Sequence, residues 1–251
     1  MAQAFDLVRH LNAAASRTGA IDSILQFENL ATQAQYRVPY IVTTRHVTGG
    51  DRVLDWGCGN GHFSLFLQSL GAEVTGYSFE RPPRAVEGSA AFTFFSGSSA
   101  DPRSLPFPNA CFDAAVGVGV LEHVWETGGD EAASLAELVR VVKPGGVILT
   151  FHLPSETGWI ENAVRTLGLN KHLHGRRYRA ERIRQLWTAA GLRIVDMGVY
   201  NALPRAELTL LPAPVRHSEA FARAYDFADD LISRAVPRIC TNYFVVGRTP
   251  S

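Results

Sequence analysis

Apolar residues in this chain follow two periods that alternate along its length. Short apolar runs near Val53, Val74, Phe94, Ala115 and Ile148 read as buried strands. The segments between them carry apolar residues at helical spacing, as in Phe63, Phe66, Leu67 and Leu70. Strands that alternate with helices predict an α/β fold, a parallel sheet covered on both faces. The second strand is expected over Glu73–Tyr77 and the third over Phe92–Phe95. Helices are expected over Ala132–Val142 and Arg179–Ala190, with Lys143-Pro144-Gly145-Gly146 as the turn that opens the fifth strand. Leu192–Val199 and Tyr243–Val246 supply the last two strands of a doubly wound, mostly parallel seven-stranded sheet.

The same pattern divides one structural domain into three parts. Residues 1–48 form an N-terminal helical cap, in which Phe5, Val8, Leu11, Ile24, Leu25 and Leu30 recur at near-helical spacing before Gly49-Gly50. Residues 49–200 form the α/β core, with a loop and helix elaboration over 153–178. Residues 201–251 hold a helical insertion and the last strand. Within the insertion, 203–238, the residues Phe221, Tyr225, Ala228 and Leu231 predict a helix that covers substrate or makes a homodimer contact.

The most specific chemistry lies at Arg52-Val53-Leu54-Asp55-Trp56-Gly57-Cys58-Gly59-Asn60-Gly61, where a strand ends in a carboxylate and a loop with glycine at every second position. Glycines there allow positive φ and close approach of a ligand, and the amides of the following helix point into the turn. A dinucleotide fold wants G-x-G-x-x-G; here the third glycine falls one residue early, and Asp55 would repel a pyrophosphate. The segment resembles motif I of the class I S-adenosylmethionine-dependent methyltransferases, D-x-G-C-G-x-G, complete over Asp55 to Gly61. Phe112-Asp113 with Leu121-Glu122-His123-Val124, Leu105-Pro106-Phe107, and the run from Leu138 to Lys143-Pro144-Gly145-Gly146 are similar to further motifs of that family.

The resemblance implies a Rossmann-like methyltransferase fold, S-adenosyl-L-methionine as cofactor and S-adenosyl-L-homocysteine as product. It implies cofactor contacts from Asp55, Gly57, Cys58, Gly59, Asn60, Gly61 and Phe63, then from Ser99, Ala100 and Asp101 at the adenine, and from Val118 and Gly119 after the fourth strand. At the ribose the chain departs from the family: Ser78 stands where an acidic residue is usual, and Glu80 is the nearest carboxylate. Tyr36 and Arg37 would close over the cofactor carboxylate, or else form a solvated helix face. His123 and His152 are the candidate catalytic bases, with loop ordering and a hydrogen-bonded structural histidine as their plain alternatives. Glu122 is expected to brace a loop and Cys58 to fill space. The cluster His172, His174, Arg176, Arg177, Arg179, Arg182 and Arg184 either holds an anionic acceptor or lies on a solvated helix face, the reading that Ile183, Leu186 and Trp187 favour. Tyr178, Trp159, Trp187 and Tyr200 line an acceptor pocket or belong to the core.

Formal net charge is zero over 251 residues, which argues against a surface for nucleic acid or an anionic membrane and leaves a small-molecule acceptor as the expected partner. Three scattered cysteines and the absence of C-x-x-C or H-x-x-x-H spacing suggest neither disulfides nor a metal, and a cytoplasmic setting is expected. The lack of a carboxylate-rich cluster argues against metal-assisted, catechol-type transfer. The expected function is methyl transfer to an oxygen, nitrogen or carbon nucleophile. Its rivals are a cofactor-binding but inactive subunit or scaffold and, less favoured, a nicotinamide-dependent oxidoreductase.

Overall fold

Each apolar run becomes a strand in the computed structural model, which describes residues 34–83, 86, 88–98, 100–168 and 173–251. The strands are β1 (Arg52–Trp56), β2 (Glu73–Ser78), β3 (Phe92–Ser96), β4 (Phe112–Val118), β5 (Val142–Pro154), β6 (Arg193–Tyr200) and β7 (Asn242–Arg248). They form one sheet of order β3-β2-β1-β4-β5-β7-β6. Only β7 runs antiparallel to its neighbours, β5 and β6. The helices are α1 (Arg37–Thr43), α2 (His62–Ser69), α3 (Glu131–Val141), α4 (Trp159–Thr166), α5 (Ala180–Ala189), α6 (Ala213–Arg216) and α7 (Glu219–Ala235). The expected N-terminal apolar pattern from Phe5 to Leu30, together with Ser99 and His172, lies outside the described residues.

Alternation along the strands explains the two cores. Val53 and Val246 face a layer built on Tyr40, Phe63, Phe66 and Phe151, while Leu54 and Val245 face one built on Leu135, Ile183 and Trp187. The sheet is therefore buried on both faces, and the order in which strands are added reverses between the parallel neighbours β1 and β4, where such sheets leave a crevice at the carboxyl ends of the strands.

One expectation changes. Lys143-Pro144-Gly145-Gly146 does not precede the fifth strand but bulges within it: Val142 pairs with Phe112, and the next partners are Val147 and Ala114. A side chain on Gly146 would come within 2.7 Å of the Asp113 carbonyl oxygen, so glycine permits this approach. The helix expected from the spacing of Phe221, Tyr225, Ala228 and Leu231 forms, but what it buries most deeply is largely polar. α7 buries Ala222, Asp226 and Asp229, and leaves Leu231 59% exposed. The physical reason is a charge network: Arg205, itself buried, donates to Asp226 at 2.6 Å and to Asp229 at 2.7 Å. Arg37 joins it, with Nε 3.5 Å from Asp226 and a hydrogen bond to Asp230. Periodicity of apolar residues cannot register a helix that packs through its carboxylates. Among the described residues no helix is long and apolar enough to cross a membrane.

Candidate active site

The glycine turn after β1 is built from backbone that other residues resist. Gly57, Gly59 and Gly61 have φ of 75°, 47° and 81°. The amides of Gly57 and Cys58 both donate to the Tyr77 carbonyl, at 2.7 and 3.1 Å, which ties the turn to the end of β2. Gly61 caps α2 in the left-handed conformation. Cys58 is buried, and burial pushes its thiol well above the ordinary value, in keeping with a filler. Asn60 braces the turn by accepting from the His62 amide at 3.3 Å. Asp55 sits behind the turn and not on a cavity wall: it is 2% exposed, and its Oδ2 accepts from the Ser64 hydroxyl at 2.5 Å. Its carboxylate links β1 to α2.

Burial raises the Asp55 pKa to about 7, against hydrogen bonds from Ser64 that lower it. A carboxyl whose folded pKa lies above its unfolded value contributes its full stability below the unfolded pKa, about 3.9, and loses it as pH rises through 7. Urea unfolding without ligands is therefore expected to show stability falling from pH 5 to pH 8 by on the order of 3 kcal/mol through this group. Asp55→Asn should remove that portion of the slope; an unchanged slope would show that the carboxyl ionises freely in the fold.

Beyond the turn, a cavity of about 340 Å³ lies at the carboxyl ends of β1, β2 and β4. Gly57, Gly59, Ser78, Glu80 and Gly119 line it, together with Trp56, Tyr77, Phe79, Arg103 and Leu105. The Ser78 hydroxyl accepts from the Glu80 amide at 3.1 Å, so the two residues stand side by side on the wall. Other expected contacts lie elsewhere. Asp101 is exposed and off the lining, with Oδ1 accepting from the Ser104 amide at 3.3 Å; Ala100 is likewise off it. The chain turns at Asp101 and presents Pro102 and Arg103 in its place. Phe63 is 2% exposed in the aromatic core with Tyr40 and Phe66, because α2 points it at the sheet. Arg37 is committed to α7, as described, while Tyr36 faces the second cavity. Phe79 and Arg103 escape sequence reading because each follows a recognisable element without belonging to a motif.

A second cavity, of about 660 Å³, adjoins the first, and Gly119 and His123 line both. Tyr36, Val118, Glu122, His152, Glu161 and His174 belong to its wall. His152 is held in an unusual way. Its φ is 60°, it falls in the register shift between Thr150 and Leu153, and its amide donates to the Tyr200 hydroxyl at 2.8 Å. Its buried Nε2 has no hydrogen-bond partner, and burial, reinforced by His174, lowers its pKa to about 4. The Tyr36 ring lies 5.0 Å from that of His152 and 4.3 Å from that of His62, whose pKa burial lowers to about 3. His123 Nδ1 lies 2.9 Å from Glu126. Glu122 is 2% exposed, with an unpartnered Oε2 and a pKa raised by burial to about 8.

Of the basic segment, only His174 reaches this wall among the described residues. Arg177 donates to the carbonyls of Ser155 and Glu156, and Arg179 pairs with Glu156 at 2.6 Å, so both hold the loop after β5. Tyr178 and Trp187 are core residues, Tyr200 lies buried behind His152, and Trp159 donates to the Ala202 carbonyl at 2.6 Å.

The first cavity suits a nucleoside with a small charged tail: its glycine wall admits close approach, Ser78 and Glu80 offer hydroxyl partners, and Trp56, Phe79 and Leu105 supply apolar surface. Comparison with known proteins agrees. The family described as Methyltransferase domain matches residues 54–150. A probable S-adenosylmethionine-dependent methyltransferase of Mycolicibacterium smegmatis is 29% identical over 164 residues, 65% of this chain and 60% of that protein. The demethylmenaquinone methyltransferase of Thermus thermophilus is 30% identical over 168 residues, 65% of this chain and 68% of its own length. The chain thus spans about 60% of the length of the first of these relatives. A solved S-adenosylmethionine-dependent methyltransferase from Archaeoglobus fulgidus shares the fold, with a TM-score of 0.57 at 19% identity over 87% of this chain and 92% of that one. With motif, sheet order and relatives in agreement, the chain belongs to the class I S-adenosylmethionine-dependent methyltransferase family.

Proposed function

We propose that this protein transfers a methyl group from S-adenosylmethionine, held in the first cavity, to a small-molecule acceptor held in the second. The observation that carries this reading is the joint between the cavities, where Gly119 and His123 line both. Bound there, S-adenosylmethionine supplies a methyl group on a sulfonium that leaves with the S–C electron pair as S-adenosylhomocysteine. The protein's part is to align the acceptor and exclude water, which contributes several kcal/mol to such reactions.

Gly57 and Gly59 would let the cofactor lie against the backbone, Ser78 and Glu80 would hold the ribose hydroxyls, and Tyr36, on the wall of the second cavity, would close over the methionine end where it reaches the joint. His152 lies on the wall of the second cavity, and its buried Nε2 has no hydrogen-bond partner among the described residues. Burial keeps that ring neutral, so its lone pair accepts the acceptor's proton, and a weak base suffices once the new bond makes that proton acidic.

The test is calorimetric binding of S-adenosylmethionine, followed by transfer of a labelled methyl group to a panel of phenols, hydroxy acids and amines. Binding with transfer sustains the reading, whereas binding without transfer across the panel favours a cofactor-holding subunit. His152→Gly keeps the left-handed backbone and removes the ring. It is expected to lower kcat by about 10²-fold while leaving S-adenosylmethionine affinity within a factor of two; full activity in this variant would exclude His152 as the base.

A further inference from the structure

The wall of the acceptor cavity gathers three groups that no single motif joins. Glu122 and His123 come from the 3-10 turn Leu121–Thr127, and His174 comes from the loop before α5. One ligand atom from each lies within 4.8 Å of the others, and His123 Nε2 is 4.0 Å from Glu122 Oε1. Three features beyond proximity make this a built site. Glu122 is 2% exposed, lines the cavity and carries an Oε2 with no hydrogen-bond partner among the described residues, an arrangement that costs free energy unless something positive completes it.

Each histidine also has a carboxylate at its other ring nitrogen. His123 Nδ1 is 2.9 Å from Glu126 Oε1, and His174 Nδ1 is 3.1 Å from Glu161 Oε2. A carboxylate accepts only, so Nδ1 of each ring is the donor to it, and Nε2 is the nitrogen that would bind a metal, with the carboxylate support that metal-binding histidines have. Glu161 is in turn held by Arg165 at 2.8 Å and by Arg177 at 3.6 Å, so the supporting carboxylate is itself oriented.

We propose that Glu122, His123 and His174 form a binding site for one first-row divalent cation of the Zn²⁺, Co²⁺ or Mn²⁺ type, in the wall of the acceptor cavity. Two imidazoles and one carboxylate suit these ions and not Ca²⁺ or Mg²⁺, which prefer all-oxygen shells. Ligands of one such ion lie roughly 3.4 Å apart, so the three side chains close by about 1 Å on binding. Three protein ligands facing a cavity leave a coordination position for a small molecule, as catalytic sites do.

The role of the cation, though not its binding, rests on the methyl-transfer reading. Held by the ion, an acceptor hydroxyl becomes more acidic. Its proton passes to His152 Nε2, its oxygen forms the bond to the methyl carbon, and the S–CH3 pair stays on sulfur. The site therefore selects oxygen acceptors, with a second oxygen beside the first as the natural chelate. No spacing along the chain announces this set, because the tertiary fold brings His174 to a pair whose histidine is 51 residues earlier.

Chelator-stripped protein titrated with Co²⁺ tests the site directly, since visible absorption reports a nitrogen-ligated ion apart from any turnover. One equivalent is expected to bind, with affinity at least 10-fold weaker in Glu122→Gln, in His174→Ala and in the supporting variant Glu161→Gln. Melting curves confirm that each variant folds. No saturable Co²⁺ spectrum in the wild type, or a spectrum unaltered by all three changes, would overturn the proposal. Co²⁺ binding without S-adenosylmethionine binding would keep the site and remove methyl transfer. Undiminished transfer in chelator with no cobalt site would do the reverse.

Discussion

Gly57→Ala is expected to weaken S-adenosylmethionine binding by at least 10-fold, on two grounds that add. The backbone there has φ of 75°, which costs a residue with Cβ about 1–2 kcal/mol. The new methyl would lie 3.0 Å from Cγ1 of Val120 and closer still to Cγ2, so the turn or the wall after β4 must move. Both segments line the first cavity through Gly57 and Val120. Calorimetry with S-adenosylhomocysteine as well as the methyl donor measures the effect without turnover. Adding Val120→Ala should restore part of the affinity, because it removes the overlap but not the strained φ. Wild-type affinity in the single variant would mean that the glycine turn does not contact the cofactor.

The largest effect on stability is expected at Arg205. Its guanidinium is buried, bridges Asp226 and Asp229, and lies 5.1 Å from the centre of the Tyr225 ring. Arg205→Ala would leave two carboxylates buried beside Arg37 alone, a loss of about 3–5 kcal/mol. For a chain of this size that lowers Tm by on the order of 10 °C. Arg205→Lys keeps the charge but not the fork that reaches two carboxylates, so its loss should fall between wild type and Ala. Thermal and urea unfolding decide the matter, and a loss under about 1 kcal/mol in the Ala variant would show that α7 is held by its apolar contacts instead.

The sheet was legible because a parallel sheet buries both faces, so each strand is a short apolar run and each crossover an amphipathic helix. Apart from the start of β5, elements that the sequence bounds lie within one or two residues of those observed, even β6 and β7, whose antiparallel pairing no local pattern announces. Motif positions for Gly57, Gly59, Ser78, Glu80 and Gly119 put those residues on one cavity wall. Other candidate residues lie off the cavity walls because side-chain direction overrides position. Asp55 turns toward Ser64, Asp101 toward the Ser104 amide, Phe63 toward Phe66, and Arg37 toward α7. For α7 apolar spacing announced the helix but not how it docks, since the helix docks by charge and leaves Phe227 and Leu231 outside.

By itself the sequence determined the strand and helix order, the glycine turn and the family, since all three are set by neighbours within about ten residues, where backbone preference and apolar period act. Only the tertiary structure decided which polar groups meet. The positive φ of His152, the joint at Gly119 and His123, the Arg205 network and the convergence of Glu122, His123 and His174 all depend on chain segments far apart in sequence. Hydrogen bonds and ion pairs act over a few ångströms in space, and no periodicity along the chain records which distant carboxylate or imidazole the fold will bring within that reach.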